Sequence, residues 1–183
     1  MMYTDRIQSW LLVLGMGLSL ALLTGACSSP TDANEIEAGA DERYLQTNAE
    51  RPGVVVTESG LQYLVVMEGS GHRPTEESEV RFDIKVMLID ESIIINSFED
   101  GDTPQQPVNE IGTDGLKEAL LLMKEGAEYH VAAPAALAYG DQEMEFQDQE
   151  TGRLIRIHSG ATILYEIKLL EVVDNPAPEE TEE

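Results

Sequence analysis

Two stretches of the chain alternate apolar and polar residues with a period of two, and no other feature constrains the fold as tightly. Over residues 79–90 the apolar set Val80, Phe82, Ile84, Val86 and Leu88 falls on one face, while Arg81, Asp83 and Lys85 fall on the other. Over residues 161–173, Ile163, Tyr165, Ile167 and Leu169 oppose Thr162, Glu166 and Lys168. Successive strand side chains point to opposite faces, so each stretch reads as an antiparallel strand with one buried and one wet face. Residues 61–67, 93–98 and 128–132 are shorter strand candidates. Only Leu116, Ala119, Leu120 and Met123 carry a helical period, with Asp114 placed to cap the start and Gly126 past the end. Several antiparallel strands with a single helix of about ten residues predict an α+β fold in which the helix covers the concave face of a twisted sheet.

This folded part is expected over residues 54–173. Ahead of it, residues 10–23 (WLLVLGMGLSLALL) form an uncharged apolar run, preceded by Arg6 and followed by Thr24, Gly25, Ala26 and the single cysteine, Cys27. About 14 residues fall short of the ~30 Å hydrocarbon core and match a signal-peptide core, so residues 1–26 read as a signal peptide. One cysteine excludes an intrachain disulfide framework or a thiolate metal cluster. The stretch Leu-Leu-Thr-Gly-Ala-Cys resembles the lipobox of bacterial lipoproteins, whose cysteine thiol takes a diacylglycerol and becomes the new N-terminus. Thr24 stands where that motif usually has Leu. A plain secretory signal and an uncleaved anchor are the alternatives. The resemblance implies a chain lipidated at Cys27 and anchored in the bacterial envelope, facing the periplasm, with Ser28 favouring the outer membrane. Residues 27–53 are then the acylated cysteine, a flexible polar tether and a short helix over 41–48, stopped by Pro52 and Gly53. Residues 174–183 read as an acidic, disordered tail.

Against 11 Lys and Arg stand 35 Asp and Glu, a formal net charge of -24. Such a surface repels a polyanion, which excludes nucleic acid as a partner. With 42% hydrophobic and 25% charged residues the composition is otherwise that of a globular protein. Conventional catalytic machinery is missing from the pattern. His72, His130 and His158 lack metal-ligand spacing and read as exposed or strand-edge residues, and there is no nucleophile elbow or phosphate-cradling glycine loop. Asp141, Glu143, Glu145, Asp148 and Glu150 crowd one segment without calcium-loop spacing and read as a solvated acidic loop. Neither a metal nor a cofactor is expected.

A series of segments in fixed order is more informative: Thr57-Glu-Ser-Gly-Leu-Gln-Tyr63, Glu68-Gly-Ser-Gly71, Leu88-Ile-Asp90, the helix from Gly115 to Gly126, Val131-Ala-Ala-Pro134, Leu137-Ala-Tyr-Gly140, and the last strand from Ala161. Over roughly residues 45 to 172 the chain resembles the FKBP family of peptidyl-prolyl cis-trans isomerases. That resemblance implies a twisted antiparallel sheet of five or six strands around one short helix, with an apolar pocket between them. Its substrates would be proline-containing unfolded or exported polypeptides, and no cofactor is implied. Residue by residue, Tyr139 matches the tyrosine whose hydroxyl bonds a ligand carbonyl, Ile157 a pocket isoleucine, and Tyr165 a position usually held by Phe. Leu116 replaces the Trp that commonly floors the pocket, and Ile111 supplies the apolar residue before the helix. On the opposite wall Ile84 replaces a tyrosine, Ile94 an aromatic residue and Ile95 an aspartate; Phe82 either restores one ring or packs in the core. These departures imply weakened activity and leave open a non-catalytic chaperone or protein-binding module that uses the same groove.

Overall fold

In the computed structural model, which describes residues 30–147 and 152–173, the chain runs α1 (Pro30–Ala49), β1 (Val54–Val56), β2 (Gln62–Met67), β3 (Glu79–Met87), β4 (Ile93–Asn96), α2 (Ser97–Asp100), β5 (Gln105–Pro107), α3 (Asp114–Leu122), β6 (Glu128–Ala133), β7 (Met144–Gln147), β8 (Leu154–Ile157) and β9 (Ile163–Val173). Residues 1–26, Cys27 and 174–183, read above as signal peptide, lipidation site and acidic tail, lie outside the described residues. One antiparallel sheet runs β1-β2-β6-β9-β3-β4, and β5 pairs with the other half of the β3 edge. It thus holds seven strands, two of them only three residues long, beyond the five or six expected. Among the described residues no helix is long and apolar enough to cross a membrane.

The two alternating stretches pair with each other. Phe82 faces Leu169, Ile84 faces Ile167 and Val86 faces Tyr165 across β3 and β9, while Val131 and Tyr129 of β6 face Tyr165 and Ile167 from the other side. These residues are all buried on the inner face, against α3. The helix comes very close to the sheet at Gly115: a Cβ there would lie 2.9 Å from the Ala133 Cβ and from the Leu137 carbonyl oxygen, so only glycine fits. Ala119, Leu120 and Met123 fill the space beneath, each without exposed surface. Thr113, not Asp114, occupies the N-cap position, and Asp114 is the first helical residue, where its charge complements the helix dipole.

Three expectations are corrected. Residues 30–40 are helical rather than a flexible tether, so the short helix expected at 41–48 extends to twenty residues. Proline fits the first helical position, and the Ala and Glu residues of the segment are strong helix formers. The end of α1 is docked by polar groups. Asp41 Oδ1 accepts the Thr162 backbone N–H at 2.6 Å, and Asn48 Nδ2 donates to Gln62 Oε1 at 2.9 Å. Gln62 Nε2 in turn donates to the Leu45 carbonyl at 3.0 Å. His158 is not a strand-edge histidine: its Nε2 lies 3.1 Å from Asp41 Oδ2, with both side chains largely buried. The described part of the acidic segment is, over Met144–Gln147, strand rather than loop: Met144↔Ile157 and Phe146↔Ile155 pair β7 with β8, with Glu143, Glu145 and Arg156 turned outward, while Asp148 and Glu150 lie outside the described residues.

Candidate functional site

Between α3 and the inner face of the sheet lies a cavity of about 340 Å³. Strand periodicity builds its base from Phe82, Ile84 and Val86, successive inner-face residues of β3. Tyr165 on β9 and Ile95 on β4 both pair with Val86 and complete that wall. Leu116, first of the helical stripe, opens onto the cavity instead of the sheet, and so stays half-buried. A smaller hollow of about 140 Å³ under α1, on the outer face, is lined by Arg51, His130 and Glu166 among others. The apolar inner cavity, with few polar groups, has the character of a ligand site.

A gap in the sheet positions the outer wall. β3 pairs with β5 over residues 79–81 and with β4 over 85–87, leaving the amides between them without a strand partner. There the Phe82 N–H donates to the Pro104 carbonyl at 3.2 Å and the Ile84 N–H to Ser97 Oγ at 2.8 Å. Thr103 Oγ1 donates to Asp83 Oδ1 at 2.7 Å. These three bonds pin the segment that leaves β4 through α2, and it carries Ser97, Asp102, Pro104 and Gln106 to the cavity rim.

Two tyrosines add hydroxyl groups to the lining. Tyr165, 3% exposed, has its hydroxyl 3.3 Å from Thr113 Oγ1. Burial pushes its pKa up to about 12, with nearby Tyr139 adding to the rise and the Thr113 hydrogen bond opposing it. Tyr139 follows the 3₁₀ turn Ala135–Leu137 and is held by Gly140 N–H donating to the Ala135 carbonyl at 2.8 Å and Gly160 N–H to the Gly140 carbonyl at 3.0 Å. Its hydroxyl makes no hydrogen bond to a described residue, and burial raises its pKa above the ordinary value. Both hydroxyls therefore keep their protons at neutral pH, and the Tyr139 proton is free to be donated.

Of the residues singled out in the sequence, Phe82, Ile84, Leu116, Tyr139 and Tyr165 come together around this cavity. Ile111 and Ile157 do not line it; both are buried in the core behind. Ile94 does not line it either. Val86 pairs with Ile95 and Met87 with Ile93, so Ile94 is the extra residue of a bulge, and Ile95 takes the place at the wall. Val86, Ser97, Asp102, Gln106, Gly112 and Thr113 were missed. Val86 was legible from its alternation with Ile84, whereas the others depend on the fold of residues 97–113. Among the described residues, no three His, Cys, Asp or Glu side chains converge as metal ligands do.

Comparison with known proteins adds family context. A family model described as FKBP-type peptidyl-prolyl cis-trans isomerase matches residues 71–170, and one described as the domain amino terminal to FKBP-type peptidyl-prolyl isomerase matches residues 28–65. The FKBP-type 22 kDa peptidyl-prolyl cis-trans isomerase of Escherichia coli (strain K12) is 35% identical over 131 residues, covering 72% of this chain and 59% of that protein. The outer membrane protein MIP of Legionella longbeachae is 34% identical over 112 residues, covering 61% of this chain and 47% of that protein. The crystal structure of FkpA from Escherichia coli superposes with a TM-score of 0.66 at 27% identity, covering 80% of this chain and 65% of that one. The chain thus spans only part of the length of these relatives.

Proposed function

Because the chain belongs to the FKBP-type peptidyl-prolyl cis-trans isomerase family, we propose that it catalyses cis-trans isomerisation of X-Pro bonds in unfolded or exported polypeptides. Rotation of such a bond meets a barrier of ~20 kcal/mol and takes ~10–100 s unaided. No bond breaks, so the reaction requires neither a nucleophile nor a metal. The planar amide is stabilised by resonance and by water, and the twisted amide has lost much of its polarity. A cavity floored by Phe82, Ile84, Val86 and Leu116 receives the prolyl ring, strips water from the amide and favours the twisted form. Tyr139 donates to a substrate carbonyl and holds the chain across the cavity, while Tyr165, tied to Thr113, fixes the inner wall. Each ~1.4 kcal/mol of preference for the twisted state gives about tenfold in rate.

The observation that carries this reading is the Tyr139 hydroxyl, without a hydrogen-bond partner among the described residues, at the wall of an apolar cavity. The test is isomerisation of a short X-Pro peptide by the purified protein and by Tyr139→Phe. A wild-type rate equal to the uncatalysed one at micromolar protein rejects it. A second reading, a chaperone or binding module, draws on the exposed apolar residues Ile93, Ile95 and Phe98 around β4. Suppression of client aggregation without isomerisation would favour that reading.

For location, export and lipid anchoring at Cys27 rest on the lipobox resemblance and agree with a relative named as an outer membrane protein. The anchor faces the periplasm from the outer membrane. Palmitate labelling abolished by Cys27→Ala tests it, and labelling that persists rejects Cys27 as the site.

A further inference from the structure

The cavity's lining is almost wholly uncharged. Among the described residues that line it, the one carboxylate is Asp102, and no Lys, Arg or His stands beside it. Two features make this carboxylate available. It has no hydrogen bond or ion pair with a described residue, whereas nearby Asp83 is satisfied by Thr103. It is also held in place: Gly101 N–H donates to the Ser97 carbonyl at 3.0 Å, Gly101 adopts a φ of 71°, and Thr103 is bonded to β3 on the other side. An exposed charge on a held stretch of backbone, with no partner among the described residues, acts at the mouth of an apolar site on whatever is presented next to the group that enters it.

Resting on the isomerase reading of the same cavity, we infer that Asp102 makes the site selective for X-Pro segments with a basic side chain adjacent to the proline. With the prolyl ring against Ile84 and Leu116, a neighbouring Lys or Arg side chain lies along the rim and places its cation by Asp102. The net charge of -24 adds a long-range attraction of the same sign and a repulsion of acidic segments. The local pair supplies the specificity, because attraction from distant charges is screened beyond ~10 Å at 0.1 M salt.

The test uses the full chain and two blocked peptide series, X-Pro-Ala and Ala-Pro-X, with X as Lys, norleucine or Glu. Exchange NMR gives catalysed rates, and chemical-shift titration gives affinities in the same samples. Lys is expected to exceed norleucine about three- to tenfold in kcat/KM or affinity at low salt in one series, with Glu weakest and the ratio shrinking at 0.5 M salt. Asp102→Asn is expected to bring the Lys to norleucine ratio close to one. Asp100→Asn, which removes the same charge outside the cavity lining, retains most of it. Acceleration of all peptides without charge preference overturns this inference and leaves the isomerase reading intact. An Asp102-dependent preference in affinity without acceleration does the reverse, and the absence of both removes both. If Asp102→Asn slows all three peptides equally, the carboxylate receives a backbone N–H instead, and the selectivity proposal fails.

Discussion

Truncating Asp41 tests whether α1 is part of the folded unit. Asp41 is 3% exposed and Thr162, whose backbone N–H it accepts at 2.6 Å, is 1% exposed. In Asp41→Ala that amide loses a charged acceptor inside the protein, at a cost of about 1–3 kcal/mol. The His158 ring, 3.1 Å away but off the hydrogen-bond line, adds a smaller amount. Burying the carboxylate has its own desolvation cost, so the network as a whole contributes little; the expected loss arises because truncation strands the partners. A net loss of about 2 kcal/mol corresponds to a Tm lowered by about 6–8 °C in a domain of this size. Asp41→Asn keeps an acceptor and loses about half as much. Urea denaturation measures the global effect, and hydrogen exchange at the Thr162 amide and along α1 measures the local one. If only α1 exchange accelerates while the urea midpoint holds, the bond docks the helix without supporting the sheet. Unchanged midpoint together with unchanged Thr162 protection refutes the reasoning.

The inner face makes three further predictions. Ser97→Ala removes the acceptor of the Ile84 N–H, and a loss of about 1–3 kcal/mol in urea unfolding is expected, together with weaker catalysis as the outer wall loosens. Gly115→Ala forces a methyl group to within 2.9 Å of Ala133 and Leu137, and lifting α3 is expected to destabilise by about 1–3 kcal/mol in the same assay. Because folding raises the Tyr165 pKa above its unfolded value of 10.0 to about 12, its stabilising contribution is complete below pH 10.0 and is lost as pH rises through about 12. Tyrosinate absorbance at 295 nm should therefore show a late-ionising tyrosine, and Tyr165→Phe should flatten that part of the stability profile. A spectrum in which every tyrosine ionises near 10 would contradict this assignment.

The parts legible in the sequence and the parts that were not differ in the range of the forces that make them. A half-buried strand writes its environment into every second residue, so Val80 to Leu88 and Ile163 to Leu169 disclose their inner faces without knowledge of their neighbours. The same local rule brings out Phe82, Ile84, Leu116 and Tyr165, which inherit their cavity positions from a strand or helix face. Ile94 and Ile95 mark where it stops: one bulged residue decides which of the two reaches the cavity, and that register is settled by pairing with β3. The helical residues before Asp41 were missed for a related reason. Their amphipathic signal is weak because the helix end is docked by Asp41, Asn48 and Gln62 rather than by an apolar stripe, and Asp41 meets Thr162 across 121 positions of sequence. Asp102 combines both difficulties, since it is a polar residue on a segment held by Ser97, Thr103 and Pro104. In this chain hydrophobic patterning lays out the scaffold, while polar contacts between distant segments place the groups at the cavity rim. Variation in substrate preference among similar chains is therefore expected at positions such as 95 and 102, which alter the cavity rim without disturbing the alternation of β3 and β9.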